Sequence, residues 1–158
     1  MSAGFDLRFS LDGTSLVRHA NFLVQVRRGE LTSRVLDRIS EETERLGVGL
    51  TRGAFVGVVE ESAEMPSRAL RERQRRLISD WMERTDSRLA AVILGDTVGA
   101  KLIRTVSRLL VDHPGVRVVG SVAEGRRWIE GHVDERARAD IDAVIAYARR
   151  AARDPHSD

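Results

Sequence analysis

Cysteine is absent from this 158-residue sequence, which excludes disulfide bonds, thiolate metal ligands and thiol nucleophiles. Lysine occurs once, at Lys101, and aromatic residues make up only 4% of the chain. There is no run of roughly 18 consecutive apolar residues, and the first residues lack the charged start and apolar stretch of a signal peptide. These absences predict a cytoplasmic chain without a membrane span.

The net charge is small although the isoelectric point is high. The 26 basic and 24 acidic residues give a formal charge of +2, with an isoelectric point of about 9.8. Aspartate and glutamate are interleaved with arginine through most helical stretches, whereas proteins that bind phosphate backbones concentrate positive charge on one face. The charge pattern therefore disfavours nucleic acid as a partner.

Residues 5–26 are predicted to form an antiparallel β meander. Apolar and polar residues alternate through residues 5–11, which is the pattern of a half-buried strand, and Asp12-Gly13 follows as a turn signal. Further strands are predicted at Ser15–Arg18 and Phe22–Val26, the second of which ends at the Arg27-Arg28-Gly29 corner.

From residue 30 onward, helical and strand patterns alternate. Amphipathic helices are predicted at residues 30–46, 66–84, 97–111 and 122–129, and strands at residues 54–59, 89–94 and 116–119. Leu70, Leu77, Ile78 and Trp81 are predicted to form the core side of the second helix. The alternation predicts an α/β fold with a mixed, mainly parallel central sheet flanked by helices.

Residues 134–153 carry an apolar stripe that includes Ile141, Val144 and Ile145, which predicts one additional amphipathic helix. The domain is predicted to be complete at residues 1–133, so this stripe must cover something. Two alternatives stay open: it packs on its own domain, or it forms a homodimer interface. Residues 154–158 are predicted to be a disordered tail.

The order of these elements, over residues 15–133, resembles that of the STAS domains, named for sulfate transporters and anti-sigma factor antagonists. Residues 26–31, Val-Arg-Arg-Gly-Glu-Leu, resemble the family's strand end and Gly-Glu-Leu entry into the first helix. Residues 116–121 and the following Trp128-Ile129 resemble its final strand and helix. The resemblance implies a STAS-like architecture and a role in binding partners.

Ser67 is the one residue at which the resemblance touches a known regulatory motif. In phospho-regulated antagonists, Asp-Ser-Ser-Gly opens the second helix and its first serine is phosphorylated. Here the matching stretch is Pro-Ser-Arg-Ala at residues 66–69, which retains only Ser67. A phosphate at a helix start is physically sound, but an ordinary helix cap is the favoured interpretation of Ser67.

Residues 95–101 and the arginines of the second helix are two further candidate binding surfaces. Residues 95–101 follow a strand and open a helix but lack the spacing and hydroxyl residue of a phosphate-binding loop, so Asp96 or Thr97 is predicted to cap the helix. Arg68, Arg71 and Arg75 lie at helical spacings of three and four and form the strongest basic patch. A solvated, self-paired helix face is favoured there over a dedicated binding surface.

No catalytic centre, cofactor site or metal site is predicted. Glu60, Glu61 and Glu64 lie in a loop that should follow a central strand, and solvated carboxylates are favoured there over acid–base catalysts because no partner group is identifiable. The four histidines are scattered without metal-ligand spacing.

The leading hypothesis is therefore a non-enzymatic regulatory or protein-interaction module, with helix 66–84, the loop 60–67 and the C-terminal helix as contact surfaces for another protein. The alternative is a small-ligand or lipid carrier, which requires an apolar cavity of roughly several hundred Å³. A third hypothesis, a hydrolase, requires Ser67, Glu60 and a histidine within hydrogen-bond reach in one pocket.

Overall fold

A computed structural model describes residues 4–110 and 112–154. One six-stranded sheet runs in the order β1 (Asp6–Leu11), β2 (Thr14–His19), β3 (Phe22–Arg27), β4 (Arg52–Val59), β5 (Asp86–Ile93) and β6 (Val116–Val119). The helices are α1 (Ser33–Gly47), α2 (Arg68–Arg84), α3 (Val98–Leu110), α4 (Val122–Ile129) and α5 (Ile141–Arg153). The α/β fold predicted from the sequence is confirmed.

Strands β1, β2 and β3 form the predicted antiparallel meander. Asp12 and Gly13 both have positive φ, at 51° and 77°. Two successive residues of this conformation match the twist of the flanking strands, and glycine adopts it without the steric cost of a Cβ. The Asp-Gly pair therefore makes the first hairpin, as its sequence predicts.

Strands β3 to β6 are parallel neighbours in sequence order. Crossovers between neighbouring parallel strands are right-handed, so this order places α1, α2 and α3 on one face of the sheet. Helices α4 and α5 follow the last strand and pack on the other face, where Ile129, Val144 and Ala148 join the buried valines of the sheet. The sheet thus separates two apolar layers.

The C-terminal segment is not one helix from residue 134, as its apolar stripe predicts. A 3₁₀ segment, Glu135–Asp140, precedes α5, and another, Glu130–His132, follows α4. Tertiary contacts hold this segment against the β2–β3 turn: the Asn21 side chain accepts from the Asp134 amide at 2.8 Å, and His19 contacts Asp140 at 3.0 Å. The spacing of apolar residues in the sequence gives no information about such tertiary contacts.

The apolar stripe of α5 packs on its own sheet, against β1, β2 and β3. Its residues Ile141, Val144 and Ile145 are buried, so this stripe is not exposed as a dimer surface. Of the predicted tail, residues 155–158 lie outside the described residues. None of the helices in residues 4–110 and 112–154 combines the length and apolar character needed to cross a bilayer.

Candidate functional site

A cavity of about 130 Å³ lies between the sheet and helices α1, α2 and α3. Strands β3 to β6 form its floor, and side chains of the three helices form its walls. Its lining is mainly apolar and includes Leu36, Phe55, Leu77, Ile78, Ile103 and Val106. Gln74 and Arg75 also line it and are only half-buried, so the cavity reaches solvent along α2.

Two small residues at the centre of the cavity floor leave open space above the sheet. Gly57 and Ala91 are register partners on β4 and β5, and Gln25 pairs with Gly57 on the next strand. Apart from its two chain neighbours, a Cβ atom added at Gly57 would meet no heavy atom of the described residues within 4 Å. Protein interiors leave few voids larger than a water molecule, so this space is a departure from ordinary core packing.

Helix α2 covers the cavity and is separated from the sheet by it. Of the residues predicted to form its core side, only Trp81 is fully buried, whereas Leu70, Leu77 and Ile78 are half-buried. All three pack against the core on this face of the sheet, and Leu77 and Ile78 also line the cavity. Part of the apolar face of α2 therefore lines the cavity.

The polar lining of the cavity carries positive charge only. Arg27, Arg71 and Arg75 line it, and no carboxylate occurs among the described lining residues. Arg71 donates from Nη1 to the Pro66 carbonyl at 2.9 Å, and Arg75 pairs with Glu72, whose own side chain lies outside the lining. The hydrogen bond from Arg75 lowers the pKa of the Glu72 carboxyl.

Arg27 is the most buried of these cations, with 4% of its surface exposed. Its Nη1 donates to the carbonyl oxygens of Gly29 and Glu64, both at 2.7 Å, while Nε and Nη2 have no hydrogen-bond partner among the described residues. No carboxylate oxygen of those residues lies within 4.0 Å of the guanidinium. Burial lowers the Arg27 pKa to about 10, against a smaller opposing effect of the Glu64 charge.

Trp81 lines the cavity at its opposite end. The indole is buried, and its Nε1 donor has no hydrogen-bond partner among the described residues. Buried donors are nearly always satisfied by protein or water. The Nε1 atom has almost no accessible surface, so this unused donor is not open to the cavity.

The predicted cap at Ser67 is present. Its hydroxyl accepts a hydrogen bond from the Leu70 amide at 3.3 Å, at the start of α2. Ser67 and Arg68 are exposed and do not line the cavity, whereas the preceding Pro66 does. The basic patch is therefore divided: Arg71 and Arg75 line the cavity, and Arg68 faces solvent.

The prediction that Glu60 is a solvated carboxylate is wrong. Glu60 is buried at the end of β4, where its Oε1 pairs with Nη2 of Arg149 on α5 at 2.6 Å. This pair lies on the α5 side of the sheet, because Arg149 belongs to α5, which packs on that face. Glu64 is exposed, and its backbone carbonyl is the acceptor for Arg27 described above.

Thr97 caps α3, because its hydroxyl accepts from the Ala100 amide at 3.1 Å. Asp96 and Thr97 are both exposed, and neither lines the cavity.

The triad required by the hydrolase hypothesis is not brought together. Ser67 bonds its own helix and Glu60 pairs with Arg149, while the described histidines, His19, His113 and His132, contact Asp140, Gly115 and Asp86 respectively. Within the described ranges, no cluster of three or more His, Cys, Asp or Glu side chains could hold a metal ion.

Helix α3 presents an apolar stripe that the sequence reading missed. Val98, Leu102 and Leu109 are 84%, 53% and 81% exposed. Their spacings of four and seven place them on one helix face, and Lys101 and Arg108 are exposed beside them. The helix contains no acidic residue. The sequence pattern that could have revealed this stripe is that α3 contains more apolar residues than one buried helix face requires.

Comparison with known proteins adds no assignment: no protein-family model matches the chain, and no curated protein matches it. A fold alone does not specify function, which depends on the chemistry of a site.

Proposed function

We propose that the chain is a non-catalytic binding module whose cavity, bounded by α1, α2, α3 and strands β3 to β6, holds a small apolar ligand. The observation that carries this proposal is the open space above Gly57 within an otherwise apolar interface. The resemblance of the element order to STAS domains supports a binding role of this kind.

The volume limits the ligand. Drug-sized ligands occupy pockets of roughly 300–1,000 Å³, whereas an engineered apolar cavity of about 150 Å³ binds benzene. The cavity of about 130 Å³ is near the second value and below the several hundred Å³ expected of a lipid carrier. A single ring or a short aliphatic chain fits it, and a whole lipid does not.

Titration with hexan-1-ol, followed by amide NMR, tests this proposal. We expect saturable shifts at amides of β4, β5 and α2 that line the cavity. Gly57→Leu places a side chain in the open space and is expected to weaken binding at least tenfold while the protein stays folded. If wild-type protein shows no saturable shifts with hexan-1-ol or with other short apolar probes, charged or neutral, the proposal is wrong.

Gly57→Ala is the matched control for the leucine variant. Its Cβ meets nothing within 4 Å, and alanine is favoured over glycine within a strand, so we expect a gain of about 0.5–1 kcal/mol in the free energy of unfolding. Urea denaturation measures this gain. A loss of stability would show that the space above Gly57 is smaller than described.

A second candidate function, protein interaction, is favoured by the stripe on α3. Apolar side chains flanked by Lys101 and Arg108, without an acidic residue on the helix, are complementary to a partner segment that combines apolar and acidic side chains. We propose that such a segment docks along Val98, Leu102 and Leu109.

The double variant Leu102→Ser/Leu109→Ser tests this candidate. A partner is first identified by crosslinking in the source cells, then purified and titrated against each variant by calorimetry. We expect at least a tenfold loss of affinity, reduced affinity at high salt, and no change for Val48→Ser, which alters an exposed apolar residue outside α3. Unchanged affinity of the double variant, or a dimer that this variant dissociates, would overturn the candidate.

A further inference from the structure

The two ends of the cavity differ in chemistry. Along β4, Phe55 lies at one end and Val59 at the other, and four residues of a parallel strand span about 13 Å. Arg27 is the register partner of Val59, whereas Leu23 and Leu89 flank Phe55. One end is therefore cationic and the other apolar.

The cation at the Arg27 end is incompletely neutralised. Buried arginines are normally paired with a carboxylate, because removing a guanidinium from water is costly. Arg27 has only two carbonyl acceptors, both bonded to Nη1, and no described carboxylate within 4.0 Å. Arg71 adds positive charge to the same cavity, whereas the charge of Arg75 is opposed by Glu72.

We infer that the ligand is a small apolar carboxylic acid, whose carboxylate accepts from the free Nε and Nη2 of Arg27 and whose ring or short chain lies over Gly57 and Ala91. This inference rests on the ligand-binding function proposed above and specifies the chemical class of the ligand. A guanidinium presents two parallel donors that match the two oxygens of a carboxylate. The apolar end of such a ligand would contact Phe55 and Leu77.

Arg27 also has a structural role that a test must separate from ligand recognition. Its two bonds join the end of β3 to the loop that precedes α2, through Gly29 and Glu64. If Arg27 were purely structural, its replacement would not change the preference of the protein for an anionic over a neutral ligand of equal shape, because Arg71 and Arg75 also line the cavity. If Arg27 binds the ligand, its replacement reduces that preference.

The test compares hexanoate with hexan-1-ol at pH 7, by calorimetry and by amide NMR. For the wild-type protein we expect hexanoate to bind at least tenfold more tightly, with a preference that declines as salt is added. Arg27→Met should reduce hexanoate affinity to that of hexan-1-ol, and Arg27→Lys should retain part of the preference. Arg76→Met, which alters an exposed arginine of α2 outside the cavity, should leave it unchanged.

The outcomes separate the two proposals. Equal affinities of the wild-type protein for the two probes would overturn the carboxylic acid inference and leave the binding function intact. Absence of binding by both probes and by other short apolar compounds would overturn both. If Arg27→Met does not fold, Arg27→Lys decides: a smaller preference for hexanoate in this variant assigns the carboxylate to residue 27, because Arg71 and Arg75 are unchanged. A preference equal to that of the wild type would overturn the role of Arg27.

Discussion

Replacement of Gly125 by alanine is expected to lower the free energy of unfolding by about 1–3 kcal/mol, although alanine is normally the better residue in a helix. Helix α4 packs closely on β5 at this position. A Cβ atom at Gly125 would lie 2.6 Å from Cγ2 of Val92 and 3.5 Å from the Ala90 Cβ. Both residues are fully buried in the sheet, so α4 would have to move away from β5. Urea denaturation measures the loss.

Gly99→Ala is the matched control, because Gly99 is also helical but is exposed on α3. The nearest atom to its added Cβ is the Thr97 hydroxyl oxygen at 3.9 Å, so this variant should gain about 0.5–1 kcal/mol. Adding Val92→Ala to Gly125→Ala should give less destabilisation than the sum of the two single changes, since it removes the clashing methyl group. Simple additivity, or equal stability of Gly125→Ala and wild type, would contradict the close packing of α4.

Much of the fold was predictable because each element carries its own local signal. The alternation in residues 5–11 and the Asp12-Gly13 pair correspond to β1 and its turn, and Ser121 caps α4 through the Glu124 amide. Each of these features depends on side chains a few residues apart. Local chemistry is enough to specify them.

The cavity was not predictable, because it depends on the distance between α2 and the sheet. A strand reading Phe55, Gly57, Val59 on one face, beside Leu89, Ala91, Ile93, contains the pattern of large–small–large that lowers the floor. The sequence does not show that these two small residues pair, nor that Leu77 and Ile78 fail to fill the space above them. The distance between a helix and the sheet is set only when the helical and sheet layers pack together.

Arg27 and Glu60 show that the sequence also fails to reveal which charged side chains become buried. The sequence places both near the ends of central strands, where solvated side chains are the usual expectation. In the structure both are buried: Glu60 pairs with Arg149, whereas no carboxylate of the described residues lies within 4.0 Å of the Arg27 guanidinium. The partner of Glu60 lies 89 positions away on α5, at a distance in sequence that no local pattern reports.

Arg149→Met is expected to lower the free energy of unfolding by about 2–3 kcal/mol. Breaking a buried ion pair costs about 3–5 kcal/mol because a charge is left without its partner in a poorly solvated place. The figure is reduced here because 33% of the Arg149 side chain remains exposed. Arg150→Met, on the same helix and exposed, should change stability little.

A double-mutant cycle separates the unpaired charge from the lost packing of Arg149. Glu60→Gln combined with Arg149→Met removes the carboxylate charge, so the double variant should be more stable than Arg149→Met alone. If the double variant is no more stable, the loss comes from packing, and the ion pair contributes nothing.

Because the pair lies on the α5 side of the sheet and the cavity on the α1–α3 side, Arg149→Met should retain the wild-type preference for hexanoate over hexan-1-ol. The ion pair would then stabilise the end of β4 without selecting the ligand.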